Sequence, residues 1–229
     1  MDSGRSSNSS RCSFRGTGRG NPVILLTGFE PFGGETFNPS WTLAQRAAEI
    51  LEAAGFTARA ALLPCVFDTA PVTLNELLHH YSPDLVISLG LAAGRSSLSL
   101  EKIAINHIDA RIADNAGEQP IDTPVVADGP NAYFSTLPLK RAMQEINARS
   151  TAVRAEVSLT AGSFVCNQVF YALMHFLEGQ EGMCGGFIHI PSIEQDTVLL
   201  EEFAQTLADI ARMGLETQTE PSISAGHLH

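Results

Sequence analysis

The chain has 229 residues, of which 44% are hydrophobic, and a formal net charge of −11 at pH 7. That size and apolar content suit one large domain with its own core, and the acidic balance excludes nucleic acid as a partner, since phosphate binding needs a basic surface. No apolar run approaches the roughly 20 residues of a membrane-spanning helix, and Cys12, Cys65, Cys166 and Cys184 show neither CxxC nor CxxxxH spacing, which argues against a zinc site and suits a reducing cytosol.

In chain order, residues 1–20 are rich in Ser, Gly and Arg, with Arg5, Arg11, Arg15 and Arg19 opposed only by Asp2. No hydrophobic segment follows, so this stretch reads as a disordered extension or an over-extended start rather than a secretory signal. The run Val23-Ile24-Leu25-Leu26-Thr27 predicts a buried strand, followed by a Gly-rich loop and a helix near 39–54, with Pro39 at its first turn and Gly55 at its end. A strand is expected at 58–63, a helix capped by Asp68 and running to about residue 80, and a strand at 85–89. Residues 98–106 alternate and read as extended. Residues 107–136, rich in Gly, Pro, Asp and Asn, predict a long ordered surface excursion with room for a short hairpin. A helix at 137–149, a strand at 155–160, a helix at 164–178, a strand at 186–190 and a last helix at 194–213 complete the pattern.

This alternation predicts the α/β class: a single-domain α/β/α sandwich around a mixed, largely parallel sheet, occupying residues 21–215. Residues 216–229 read as a loose tail, to which His227 and His229 belong. Ligands of such folds bind at the carboxyl ends of strands, so the loops 28–34, 90–95 and 161–166 are expected to converge.

Within that frame, Cys166 carries the most chemistry. A β-prone run leads into Ala161-Gly162-Ser163 and a helix follows, which puts a thiol at a helix start, where the dipole favours thiolate. Cysteine is often only a small buried hydrophobe, a reading that fits Cys65 and Cys184. His189 ends a buried strand before Pro191, as a core histidine or as a base. His107 is the rival base, and His79, His80 and His175 fall on helices. Glu101 stands among Leu98, Leu100, Ile103 and Ile105, a rare setting for an unpartnered carboxylate. It either pairs with Lys102 or an Arg, or orients a histidine. The loop Thr27-Gly28-Phe29-Glu30-Pro31-Phe32-Gly33-Gly34 lacks the Gly-Lys-Ser/Thr ending of a phosphate loop. Phe29 and Phe32 suit an uncharged ring as ligand, or else both cap the core.

Assembled, these residues resemble the pyroglutamyl peptidase I family. Gly90-Leu91-Ala92-Ala93-Gly94-Arg95 with Leu98-Ser99-Leu100-Glu101-Lys102-Ile103-Ala104-Ile105-Asn106 is similar to that family's glutamate signature, and Ser158 to Asn167 to its cysteine signature. Leu26 to Gly34 with Asn38-Pro39-Ser40-Trp41, Asp128-Gly129-Pro130 with Ala132-Tyr133, and Gly186-Phe187-Ile188-His189-Ile190-Pro191 also fit. The resemblance implies a cysteine peptidase that removes N-terminal pyroglutamate from peptides, with Cys166, His189 and Glu101 as triad. It further implies a pocket drawing on Phe29, Phe32 and Phe164 with backbone near Leu91 and Val165, and Arg111 near the oxyanion. No metal or cofactor is implied; a homo-oligomer, tetramer or dimer, in the cytoplasm is. Many members carry Gln where Leu91 stands, a harmless change if that residue acts through its backbone. Two other classes fit less well. A phosphorylase on a similar sandwich needs anion donors that 28–34 lacks, and a binding protein without catalysis would not need Cys, His and Glu together.

Overall fold

The computed structural model describes residues 21–149, 152–195, 197–216 and 219–226. The extension expected over 1–20 and the tail histidines His227 and His229 lie outside them. The elements are β1 (Val23–Phe29), α1 (Pro39–Ala53), β2 (Thr57–Leu63), α2 (Ala70–Tyr81), β3 (Leu85–Leu91), β4 (Leu98–Glu101), β5 (Ile103–Ile105), β6 (Ala132–Phe134), α3 (Leu139–Arg149), β7 (Ala155–Ser158), α4 (Val165–Leu177), β8 (Cys184–Ile190) and α5 (Val198–Gly214).

The main sheet has the order β2-β1-β3-β8-β4-β7. The first four strands are parallel; β1, β3 and β8 have the buried runs of strands covered on both faces, while β2, at the edge, is partly exposed. β4 runs antiparallel to β8, and β7 runs parallel to β4, so the sheet is mixed and largely parallel, as expected. Strand pleating sends Ile87, Leu89, Leu100 and Ile188 into one core with α1, α3 and α5. Leu25, Val86 and Phe187 go into a second core with α2 and α4. Ser99, Glu101, Phe187 and His189 thus share the face that α4 covers.

Three local outcomes differ from the sequence pattern. The extended stretch 98–106 breaks at Lys102: β4 stays in the sheet, and β5 leaves it to pair antiparallel with β6. Asp68 does not cap α2, whose N-cap is Thr69 without a side-chain bond. α5 begins at Val198, because Thr197 supplies the cap by accepting from the Leu200 amide at 3.2 Å.

α3 shows a capping device with no local sequence signal. Pro138 precedes it, so no Ser, Thr, Asp or Asn stands at its start. Glu220, about eighty residues on, accepts instead from the amides of Lys140 at 3.3 Å and Arg141 at 2.9 Å. These second and third amides of the helix are the ones a local cap would satisfy. The Lys140 ammonium also donates to the Ile223 carbonyl at 2.7 Å. Residues 219–226 therefore have no regular secondary structure yet are fastened to α3. Glu220→Ala should lower the stability of the full chain by about 1 kcal/mol, read as a reduced midpoint in urea.

Candidate active site

Glu101 is the last residue of β4 and has no exposed surface. Across the β4–β8 ladder it sits opposite Phe187, and Ser99 opposite His189. Glu101 and His189 are therefore diagonal neighbours on one face, within reach of each other's side chains. His189 Nδ1 donates to Glu101 Oε1 at 2.8 Å, which leaves Nε2 as the free ring nitrogen. The same Oε1 accepts from Arg95 Nη1 at 2.6 Å. Both alternatives raised for Glu101 are realised at once, an ion pair with an arginine and a hold on a histidine. Its second oxygen, Oε2, is buried and has no hydrogen-bond partner among the described residues.

Cys166 reaches the pair through a glycine. Gly90 is the register partner of His189 in the β3–β8 ladder. A β-carbon added to Gly90 would come within 2.9 Å of Cys166 Sγ and 2.7 Å of Phe187 Cζ. The missing side chain leaves the space in which the thiol stands, over the strand neighbour of His189. The Phe187 ring packs on the imidazole, centroids 4.9 Å apart.

Cys166 is the second residue of α4, whose N-cap, Phe164, is extended and offers no side-chain bond. The leading amides of the helix thus lack a side-chain acceptor, the arrangement that receives a developing negative charge. The route to this position differs from expectation. β7 runs opposite to β3 and β8, so its carboxyl end lies level with Glu101 and Phe187. Residues 159–164 double back before α4 begins. The helix start also does not decide the ionisation. Burial pushes the Cys166 thiol well up from its ordinary value; Cys65 and Glu101 add to the rise, and Arg95 and the local backbone amide oppose it. Desolvation is the largest of these influences and favours the neutral thiol.

Around the thiol stand aromatic rings. Phe164 meets Phe67 edge-on at 5.0 Å and Phe32 at 6.3 Å. Phe29 lies deeper, 2% exposed, and touches the site's floor through Phe187 at 6.4 Å. Val165 is fully buried, and Leu91 is half-buried at the end of β3. The excursion after β5 walls this slot. Glu30 Oε1 accepts from the Cys65 amide at 3.0 Å and from Asn115 Nδ2 at 2.7 Å, and Asp114 Oδ2 from the Phe67 amide at 2.8 Å. The acid in the Gly-rich loop staples that loop to Cys65 and Asn115. Ser163 Oγ donates to the Asp109 carbonyl at 2.7 Å, and the Asp109 amide to the Ser163 carbonyl at 3.0 Å. Arg111, two residues on, is exposed and makes no hydrogen bond or ion pair among the described residues.

His107, the rival base, lies 3.8 Å from Asp122 and not against Glu101. Three residues were not singled out from sequence. Arg95 stands inside a quoted motif, but nothing in its spacing tells which acceptor its long side chain reaches. Phe67 follows a strand in an ordinary apolar context. Asn167, next to the thiol, is fully buried; it accepts from the Ile105 amide and donates to the carbonyls of Ile105 and His107. A buried amide beside a candidate nucleophile was the available signal.

Comparison with known proteins shows the family of the chain. A family described as pyroglutamyl peptidase matches residues 23–220. The pyrrolidone-carboxylate peptidase of Cupriavidus taiwanensis is 46% identical over 218 residues, covering 91% of this chain and 100% of the relative. That of Klebsiella pneumoniae is 51% identical over 168 residues, 73% of this chain and 77% of the relative. Among solved structures, pyroglutamyl peptidase I from Bacillus amyloliquefaciens superposes with a TM-score of 0.80 at 37% identity, covering 90% of this chain and 100% of its own. Pyrrolidone carboxyl peptidase from Thermococcus litoralis gives 0.77 at 32% identity, with 89% and 99% covered.

Two outcomes check the geometry. Gly90→Ala should cost about 1–3 kcal/mol of stability through overpacking, read by urea unfolding, and should slow alkylation of Cys166. In the unaltered chain, iodoacetamide should label Cys166, which is partly exposed, ahead of Cys65, which is 4% exposed. Peptide mapping of the labelled protein reads the order.

Proposed function

The chain belongs to the pyroglutamyl peptidase family, a family of cysteine peptidases, and from that premise we propose that it hydrolyses the bond after an N-terminal pyroglutamyl residue through Cys166, His189 and Glu101. The observation that carries this reading is the Glu101–His189 bond of 2.8 Å with Cys166 Sγ lodged over Gly90, the strand neighbour of that histidine.

Pyroglutamate is a neutral lactam without a free amine, so its site has no use for a carboxylate aimed at an ammonium. It needs a flat apolar slot with a few backbone hydrogen bonds. Phe32 and Phe164 would line that slot, with Phe29 beneath and the backbone near Leu91 and Val165 bonding the lactam N–H and C=O. Because burial keeps the thiol neutral, His189 Nε2 takes the proton as sulfur attacks the pyroglutamyl carbonyl. Glu101 holds the ring and balances the imidazolium. The oxyanion meets the leading amides of α4, with Arg111 entering from the exposed loop beside Ser163. His189 then gives its proton to the leaving amine, and water hydrolyses the thioester with the same histidine as base.

We also propose a homo-oligomer, dimer or tetramer, to which the exposed apolar side chains Ile121 and Phe134 offer contact surface. Sedimentation of the full chain tests it. A cytoplasmic setting belongs to the same reading, and cell fractionation checks it.

Turnover of pyroglutamyl-anilide against a proline-anilide control is the direct assay, and equal cleavage of both would refute the substrate assignment. Cys166→Ser should abolish turnover, whereas retained activity would remove Cys166 as nucleophile. Glu101→Gln, which keeps shape but loses charge, should lower kcat by about 10⁴-fold.

A further inference from the structure

Arg95 lies between β3 and β4, in a loop that carries none of the three residues above. Its guanidinium nevertheless touches two of the segments that present them. Nη1 donates to Glu101 Oε1 at 2.6 Å and lies 3.4 Å from Ser158 Oγ, and Nη2 donates to the Thr160 carbonyl at 2.9 Å. Ser158 and Thr160 open the turn that doubles back to Cys166, and they are braced to each other: the Thr160 amide donates to Ser158 Oγ at 3.3 Å. Thr160 Oγ1 in turn accepts from the Gly162 amide at 3.1 Å. One planar, multidentate cation thus spans the carboxylate and the start of the nucleophile's turn, a task that a lysine's point charge does not perform.

We propose that Arg95 is a positioning residue for the triad, bridging Glu101 to the turn that delivers Cys166 so that carboxylate, imidazole and thiol share one frame. The inference rests on Cys166, His189 and Glu101 acting as described under the proposed function. A second observation makes the arginine necessary. Glu101 is wholly buried, and its Oε2 has no hydrogen-bond partner among the described residues. A carboxylate in that position is kept charged by its cationic partners or not at all. Of its two partners, Arg95 is the one whose charge is permanent.

The charged and titratable groups facing this cluster are Glu101 from β4, His189 from β8, Cys166 from α4, Cys65 from the loop after β2, and Arg95 itself. Loss of the arginine's positive charge removes an influence that favours the Cys166 thiolate.

The test uses Arg95→Gln and Arg95→Lys in the full chain with two readouts. The first is the pH dependence of Cys166 alkylation by iodoacetamide, which needs no substrate. The second is kcat and KM on pyroglutamyl-anilide. Arg95→Gln should move the alkylation curve to higher pH by about one unit and lower kcat by about 100-fold, with KM little changed. Arg95→Lys should restore the alkylation curve but only part of kcat, because the charge returns without the fork. An unmoved curve in Arg95→Gln, or a raised KM with kcat intact, would overturn the proposal. If Arg95→Gln does not fold, Arg95→Lys decides alone, and full kcat there removes the bridging role. Failure of the unaltered chain to turn over pyroglutamyl-anilide would sink the substrate assignment, while the alkylation curves would still test Arg95.

Discussion

A carboxylate with no exposed surface governs this molecule's architecture. Glu101 gives up its hydration entirely, a loss of several kcal/mol unless cations and hydrogen bonds replace the water. The replacement comes from two directions, His189 on one neighbouring strand and Arg95 from a loop, converging on one oxygen. That requirement dictates the placement of β4. It has to lie beside β8, antiparallel, with Ser99 rather than Glu101 opposite His189, so that the acid and the imidazole meet diagonally. Shifting the register by one residue would turn Glu101 into the opposite core, beside Ile188 and Ile190 of β8, and send Leu98 and Leu100 out of it.

The same low-dielectric setting shapes the chemistry. Burial that makes the Glu101 charge so dependent on its partners also keeps the Cys166 thiol protonated. Under the proposed mechanism nucleophile and base act together, with the free imidazole nitrogen as the proton's destination. The mutually packed rings of Phe32, Phe67 and Phe164 suit the flat neutral lactam of that proposal.

Much of this was legible in the amino-acid order because it depends on local pattern. The apolar runs 23–27 and 85–89 read as buried strands, and the small-residue turn before Cys166 read as the entrance to a helix. Glu101 stood out for its apolar neighbours, and Phe29 and Phe32 for their glycines. What stayed hidden depends on reach and on direction across the sheet. Arg95 has four rotatable bonds and several acceptors within range, so its position in the chain does not name its partner. The reversed sense of β7, and the detour of residues 159–164 that follows from it, come from strand pairing far apart in sequence. The neutral resting state of the thiol reflects a contest between helix dipole and desolvation, which turns on burial that no spacing encodes. Glu220 capping α3 is of the same kind, since the acceptor lies 79 residues from the Arg141 amide it receives.

The order of strands in the sheet bears on when reactivity can arise. β4 is made early, yet both of its neighbours, β7 and β8, follow much later, and the histidine it holds lies 88 residues further on. During synthesis Glu101 has no ladder to join until β7 emerges, and its other neighbour β8 follows later still. Cys166 likewise precedes the strand that carries His189. A half-made or partly unfolded chain therefore contains the thiol without the machinery that activates it. Competence to cut peptide bonds becomes a property of the completed sheet, and the nascent protein cannot attack its neighbours on the way to it.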